Sequence, residues 1–300
     1  MATRAGIERG FLILDCNWMQ VTKASDAVAT RVHESFDFEA PRLDSQSSSC
    51  HCMFMWLDHF VIHIDTDPQF TQRLASETTS LGLAFDPIGN RDFDSFSAHY
   101  LYVGLEYLEI IQLKKPNESG WVPQWVERYS RGVRGMYCLF LATSDIESLA
   151  KELQAKGFDV KEERSSFVDA TGIEHPFPWR QIFMPSIPET EIELSFIQYD
   201  SVRTDLREIF EPNSDSNGFT GIQKADFLIT NLDGGREFLV KIFPQLQGTE
   251  SGFRIELESG EINFRRGNTE SLRLTARGTN TRFNPGRLKI ANVSLETAIE

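Results

Sequence analysis

Cysteine is scarce: Cys16, Cys50, Cys52 and Cys138 are the four in 300 residues, without the paired spacing of a disulfide scaffold. Cys50-His51-Cys52 looks like a metal-binding fragment, but no second pair stands at a matching distance. Basic residues are also in deficit. Lys and Arg number 30 against 44 Asp and Glu, a net charge of −14, which excludes the basic stripe of a nucleic-acid surface and suits an anionic membrane poorly. No apolar run approaches bilayer length. The stretch Gly10-Phe11-Leu12-Ile13-Leu14 is too short for a signal segment and is closed by Asp15, so the expected location is the cytoplasm. A G-x-S-x-G elbow and a Walker loop are both missing. The glycines of Gly132-Val133-Arg134-Gly135 and Asp233-Gly234-Gly235 read as turns or caps.

What is present is a repeat. An apolar strand, a helix opening on an acidic or hydroxyl residue and three further strands recur from near Asp58, Met136 and Ala225. Apolar residues make up 40% of the chain and charged residues 25%, the balance of a globular fold. Residues 1–55 lack periodicity and end in the polar run 44–49, which predicts a disordered leader. Met53 and Met55 stand just before the first good strand, where translation could also begin.

The first unit, 56–120, opens with Leu57-Asp58-His59-Phe60-Val61-Ile62-His63-Ile64. Alternation puts Phe60, Ile62 and Ile64 on one face and His59, Val61 and His63 on the other. Thr66 and Asp67 are cap candidates for a helix with Pro68 in its first turn and Phe70, Leu74 and Leu81 as its apolar stripe. Strands are expected near 83–85, 98–103 and 107–113. A short helix near 122–129, carrying Trp125 beside Trp121, separates the units and reads as core.

In the second unit, 134–203, the strand Met136–Leu141 leads to a helix capped by Ser144 and Asp145 and ended at Gly157. Strands near 158–161, 180–184 and 192–199 follow. Alternation sends Cys138 to the packed side with Phe140. A polar link, 211–218, precedes a third unit, 219–292, with strands expected at 225–230, 253–258, 262–266 and 272–276 around a helix bearing Leu239, Ile242, Phe243 and Leu246. The expected fold is α+β: paired βαβββ units forming a cup-shaped mixed sheet, plus a third such unit.

The stretch 57–199 resembles the glyoxalase-like domain family of the vicinal-oxygen-chelate superfamily. The likeness is carried by Leu57-Asp58-His59-Phe60-Val61, by Tyr107-Leu108-Glu109-Ile110-Ile111 and by Glu191-Ile192-Glu193-Leu194. The resemblance implies one divalent ion (Mn, Fe, Ni or Zn) held by a His or Gln on the first strand and a Glu on the fourth strand of each unit. His59, Glu109 and Glu193 match that pattern. Aligning Ser144-Asp145 with Thr66-Asp67 puts Tyr137 at the remaining position, a departure from the pattern. In the third unit Asp226 and Arg273 take the two places, and an arginine there predicts no metal.

One imidazole and two carboxylates would leave coordination positions for a substrate with adjacent oxygens. The resemblance thus implies a metal-assisted lyase, isomerase or dioxygenase acting on a small oxygen-rich metabolite, with Glu193, Tyr137 or His63 assisting as acid or base. The rival is a metal-free protein that sequesters a small molecule. Each candidate has a plainer reading: His59 as a bonded strand-end residue, Glu109 and Glu193 as solvated faces. Trp179 and Arg180, after the stiff segment 174–178, are candidates for lining the pocket, Arg180 by gripping a substrate carboxylate. A lone half-cup exposes a sheet face. Either the third unit covers the first domain or it pairs with its copy in a homodimer.

Overall fold

The computed structural model describes residues 54–85, 91–92, 95–115, 122–168, 172–200, 218–278 and 285–297. Of the expected leader, all but Phe54 and Met55 lies outside these residues, as do Cys50, Cys52, Trp121 and most of the polar link. The first unit comprises β1 (Met55–Ile64), α1 (Phe70–Leu81), β2 (Ala84–Phe85), β3 (Arg91–Asp92), β4 (Phe96–Val103) and β5 (Glu106–Leu113). After α2 (Pro123–Ser130) come β6 (Gly135–Thr143), α3 (Ile146–Ala155), β7 (Ser166–Val168), β8 (Glu174–Pro176), β9 (Trp179–Ser186) and β10 (Glu193–Tyr199). β7 and β8 form an antiparallel hairpin of their own. The other strands join in one sheet ordered β2-β4-β5-β1-β6-β10-β9, with β3 paired to β4.

Local chemistry sets these elements. Asp145 caps α3 by accepting from the Ser148 N–H at 3.0 Å, and the chain leaves that helix through Gly157 at φ +87°. Ile146, Leu149, Ala150 and Leu153 are buried on one side of it. In the first unit Asp67 accepts from the Gln69 N–H at 2.9 Å, so α1 starts at Phe70 and Pro68 lies in the preceding turn.

The C-terminal part departs from expectation. It runs β11 (Phe219–Ile229), α4 (Leu232–Ile242), β12 (Gln247–Thr249), β13 (Gly252–Glu256), β14 (Glu261–Arg266), β15 (Ser271–Gly278), β16 (Gly286–Ile290) and β17 (Val293–Thr297). The three strands that complete the third unit are β12, β13 and β14. β15, which carries Arg273, instead pairs antiparallel with β11 and parallel with β17. It therefore opens a fourth unit, in which no helix falls among the described residues. The second sheet, β12-β13-β14-β11-β15-β17-β16, repeats the strand order of the first. The brief strand β12 escaped sequence reading because its three residues are all exposed and carry no apolar alternation.

The two sheets share one core. Phe60, Ile62, Leu108, Ile110, Leu139 and Leu194 of the first cluster with Phe227, Ile255, Ile262, Phe264 and Leu274 of the second, together with the apolar sides of α1, α3 and α4. Truncating a fully buried ring such as Phe227 costs about 3–5 kcal/mol. Polar stitches hold the seam: the Met136 N–H donates to Asn292 Oδ1 at 2.9 Å, and the Leu57 N–H donates to Ser259 Oγ at 2.9 Å. Gly104, at φ +66°, lies so close to β11 that a Cβ there would sit 2.3 Å from the Thr220 carbonyl carbon. The C-terminal half therefore covers the back of the first sheet within one chain. The first sheet keeps its other face, the concave one, for a site. Among the described residues no helix is long and apolar enough to cross a membrane.

Candidate functional site

Strand register places the concave face. His59 stands opposite Tyr107 of β5 and Phe140 of β6, while Val61 stands opposite Glu109 and Cys138. Tyr102 and Tyr100 of β4 continue these two rows beyond Tyr107 and Glu109. Ser195, Ile197 and Tyr199 of β10 stand opposite Phe183, Gln181 and Trp179 of β9. Phe140 and Cys138 thus belong to the concave face, contrary to the expectation from alternation alone. The pairing of β1 with β6 slips at Asp58 and again at Tyr137. Each slip is a bulge that changes the side a residue faces, which no count of alternate residues can register.

His59 sits at the centre of a ladder of rings. It stacks on Tyr107 (4.6 Å, 9°) and on Phe140 (4.2 Å, 13°), and the row continues to Tyr102 at 5.6 Å from Tyr107 and Phe183 at 5.8 Å from Phe140. Rings stacked across neighbouring strands stand upright and present edges and hydroxyls to the cup. His59 Nδ1 lies 2.7 Å from Asp58 Oδ1, and that oxygen also accepts the Tyr199 hydroxyl at 3.0 Å. The opposite nitrogen, Nε2, is 3.9 Å from Glu109 Oε2, while Tyr100 donates to Glu109 Oε1 at 3.3 Å. Asp58 is wholly buried and Glu109 partly exposed. Burial pushes the Tyr107 phenol well above its ordinary range, so it stays a protonated donor.

The other half of the cup is filled by α2. Its Trp125 indole N–H donates to Glu193 Oε2 at 2.7 Å, and Arg128 closes on Glu193 Oε1. Arg128 also donates to Ser186 Oγ at 2.6 Å and to the Glu191 carbonyl at 2.7 Å. Burial raises the Glu193 carboxyl above its usual value, against the pull of Arg128. His63, fully buried, stacks on Tyr137 at 3.8 Å and meets Trp125 edge-on. Neither of its ring nitrogens has a hydrogen-bond partner among the described residues. Burial first, then Arg134 and Arg128, lower its pKa to about 3, so the ring is neutral. Tyr137 donates its hydroxyl to the Val133 carbonyl at 2.7 Å.

Two observations fix which residues of the two units correspond. The Asp67 N–H donates to Gln112 Oε1 at 2.7 Å, and the Ile146 N–H donates to Gln198 Oε1 at 2.8 Å. His59 opposes Tyr107 in β5 as Cys138 opposes Glu193 in β10. Counting back from these anchors, Cys138 takes the place of His59, Ser195 that of Glu109, and Glu193 that of Tyr107. The expected matches of Tyr137 to His59 and of Glu193 to Glu109 are therefore displaced along their strands. In the third unit Lys224, opposite Glu261, takes the His59 place, and Asp226 pairs with Asn263 and Arg273.

These residues do not fit a metal held by both units. Cys138 and Ser195 bond each other at 3.3 Å, and burial holds the thiol protonated. Glu193 is occupied on both oxygens. Among the described residues, no three of His, Cys, Asp and Glu converge on a point. Of the pocket candidates, Trp179 lies on the concave face and meets Tyr199 at 6.3 Å. Arg180 stands opposite Gln198, on the other face, donating to Gln198 Oε1 at 3.1 Å and to Glu162 Oε1 at 3.2 Å. Asp58, Phe140, Arg128 and Tyr199 were not apparent from the sequence. An Asp directly before a strand His is a local signal for Asp58; Phe140, Arg128 and Tyr199 reach the site only through pairing and packing across the chain.

No curated protein matches the chain. A hypothetical protein from Staphylococcus aureus superposes with a TM-score of 0.61 at 15% identity, over 82% of this chain and 99% of its own. At that identity the likeness is one of fold. 4-Hydroxymandelate synthase from Streptomyces coelicolor aligns over 73% of this chain and 70% of its own (TM-score 0.45, 10% identity). Methylmalonyl-CoA epimerase from the same organism aligns over 48% and 97% (TM-score 0.35, 12% identity). The family described as glyoxalase-like domain matches residues 57–240, more than half of the sequence. With its paired βαβββ units around a concave face, the chain belongs to the glyoxalase-like domain family.

Proposed function

We propose that the first cup binds a small oxygen-rich molecule over the edge of the ring ladder, and that His59 acts there as a general base. The observation that carries this reading is the Asp58–His59–Glu109 array. Asp58 accepts from Nδ1 and so leaves Nε2, on the side of Glu109, as the nitrogen that can take a proton. Stacking between Tyr107 and Phe140 fixes the plane of the ring. Tyr107 supplies a hydroxyl toward ligand oxygens. A base held this way removes a proton from carbon beside a carbonyl, the step common to isomerases and lyases. Glu193, Tyr137 and His63 take no part in this reading, because α2 encloses them. Sequestration without turnover is the second reading, favoured by how much of the cup α2 already fills.

Ligand-observed NMR in deuterated buffer tests both. Dihydroxyacetone, pyruvate and glycerate serve as probes, with His59→Ala as the control. Saturation transfer to a probe, with loss of its C–H signal in the wild type alone, is the result expected of a base. Transfer without exchange selects sequestration. No transfer to any probe, together with no small molecule released on denaturing the purified protein, rejects both.

A further inference from the structure

Glu193 is a carboxylate buried on the concave face and neutralised from within the chain. Arg128 surrounds it with directed bonds: Nη2 reaches Glu193 and Ser186, Nη1 the Glu191 carbonyl at 2.7 Å, and Nε lies 3.4 Å from Glu191 Oε2. The guanidinium carbon also lies 5.6 Å from the centre of the Tyr137 ring. Every side of this planar fork is used, and the group cannot shed its charge. Trp125, one turn earlier on α2, satisfies the other Glu193 oxygen. The second unit presents no alternative ligand pair, since Cys138 and Ser195 stand where His59 and Glu109 do and bond to one another.

We infer that Arg128 is the resident cation of this cup: it supplies, as part of the protein, the positive charge that Glu193 needs, at a site where Cys138 and Ser195 replace the ligand pair that the family resemblance implies, and so frees the site from any metal requirement. A dication could reach Glu193 only by expelling both Arg128 and Trp125, which unseats α2 and strands a guanidinium in the interior. The same ion pair explains why α2, an eight-residue helix too short to persist alone, is held on the sheet. The inference does not depend on the role proposed for His59; a failure to bind any probe would leave it standing.

The test is metal retention by the full chain. Protein stripped with EDTA is exposed to Mn²⁺, Ni²⁺ or Zn²⁺, passed through a desalting column and measured by plasma mass spectrometry, with thermal melting run in parallel. The wild type is expected to retain well under one equivalent of each ion and to melt at the same temperature with metal or EDTA. Arg128→Met, which keeps the aliphatic stem and removes the charge, is expected to retain more metal than the wild type, and Arg128→Met/Glu193→Gln to lose that gain. One equivalent retained by the wild type, with an EDTA-sensitive melting temperature, overturns the inference, and this measurement needs no variant to fold. A folded Arg128→Met that retains no more metal than the wild type overturns it equally.

Discussion

Cys138 occupies in β6 the place that His59 occupies in β1: each follows a bulge and faces the fourth strand of its own unit. The two halves of the cup are thus related by position and divided by chemistry. His59 comes with a buried Asp and a partly exposed Glu, whereas Cys138 comes with a hydroxyl and a neighbouring carboxylate already neutralised. Function is expected in the first half and stability in the second.

Removing one partner of the buried pair tests that division. Glu193→Ala should cost about 3–5 kcal/mol by taking from Arg128 its buried counter-charge. The double variant Arg128→Met/Glu193→Leu should recover most of that loss, because neither charge then needs solvating. Urea unfolding of the two variants gives the comparison; equal destabilisation would show that the pair is not coupled.

His63 sets an acid limit on stability. Its pKa is about 3 when folded against 6.5 for an ordinary histidine, so the unfolded chain takes up a proton first as pH falls. The native state keeps its full margin above about 6.5 and loses about 1.4 kcal/mol per unit of pH from there down to about 3. His63→Phe removes both unpartnered nitrogens, and should be neutral or stabilising at pH 7 and flatten that limb. Unfolding free energies at a series of pH values check it, and an unchanged slope would count against the buried neutral ring.

Asp58→Asn should preserve the fold yet disturb His59. An asparagine can turn its amide toward Nδ1, which favours the tautomer with the proton on Nε2. Two-dimensional ¹⁵N NMR of the imidazole reports this directly. Where a probe molecule undergoes exchange, the rate should fall by about 10²-fold or more, with its affinity much less affected.

Gln112→Ala and Gln198→Ala should have matching local effects. Each removes the acceptor for one backbone N–H at the approach to a helix, at Asp67 and at Ile146, for about 1 kcal/mol each. Amide hydrogen exchange should quicken at Asp67 in the first variant and at Ile146 in the second. Exchange that quickens at neither amide would remove the main support for the residue correspondence between the units.

Much of this protein is local and therefore written in its residues. The alternation through Phe60, Ile62 and Ile64, the Asp145 cap, the Gly157 exit and the spacing of Ile146, Leu149 and Leu153 are short-range matters of backbone geometry and burial. They suffice for the repeated units and the resemblance to a family. They also bring His59 and Glu109 to one face, since both follow from the parity of single strands.

Register across strands is a different kind of information. Whether Glu193 matches Glu109 or Tyr107 depends on bulges at Asp58 and Tyr137, and a one-residue slip reverses which side every later residue faces. Nor does any spacing announce that an arginine on α2 will reach Glu193 across 65 residues of chain. The repeat and its candidate face came from the sequence; tertiary packing alone decided that one half of the cup holds an oriented imidazole and the other a sealed ion pair, because buried charges are settled by whatever partner the folded chain brings to them.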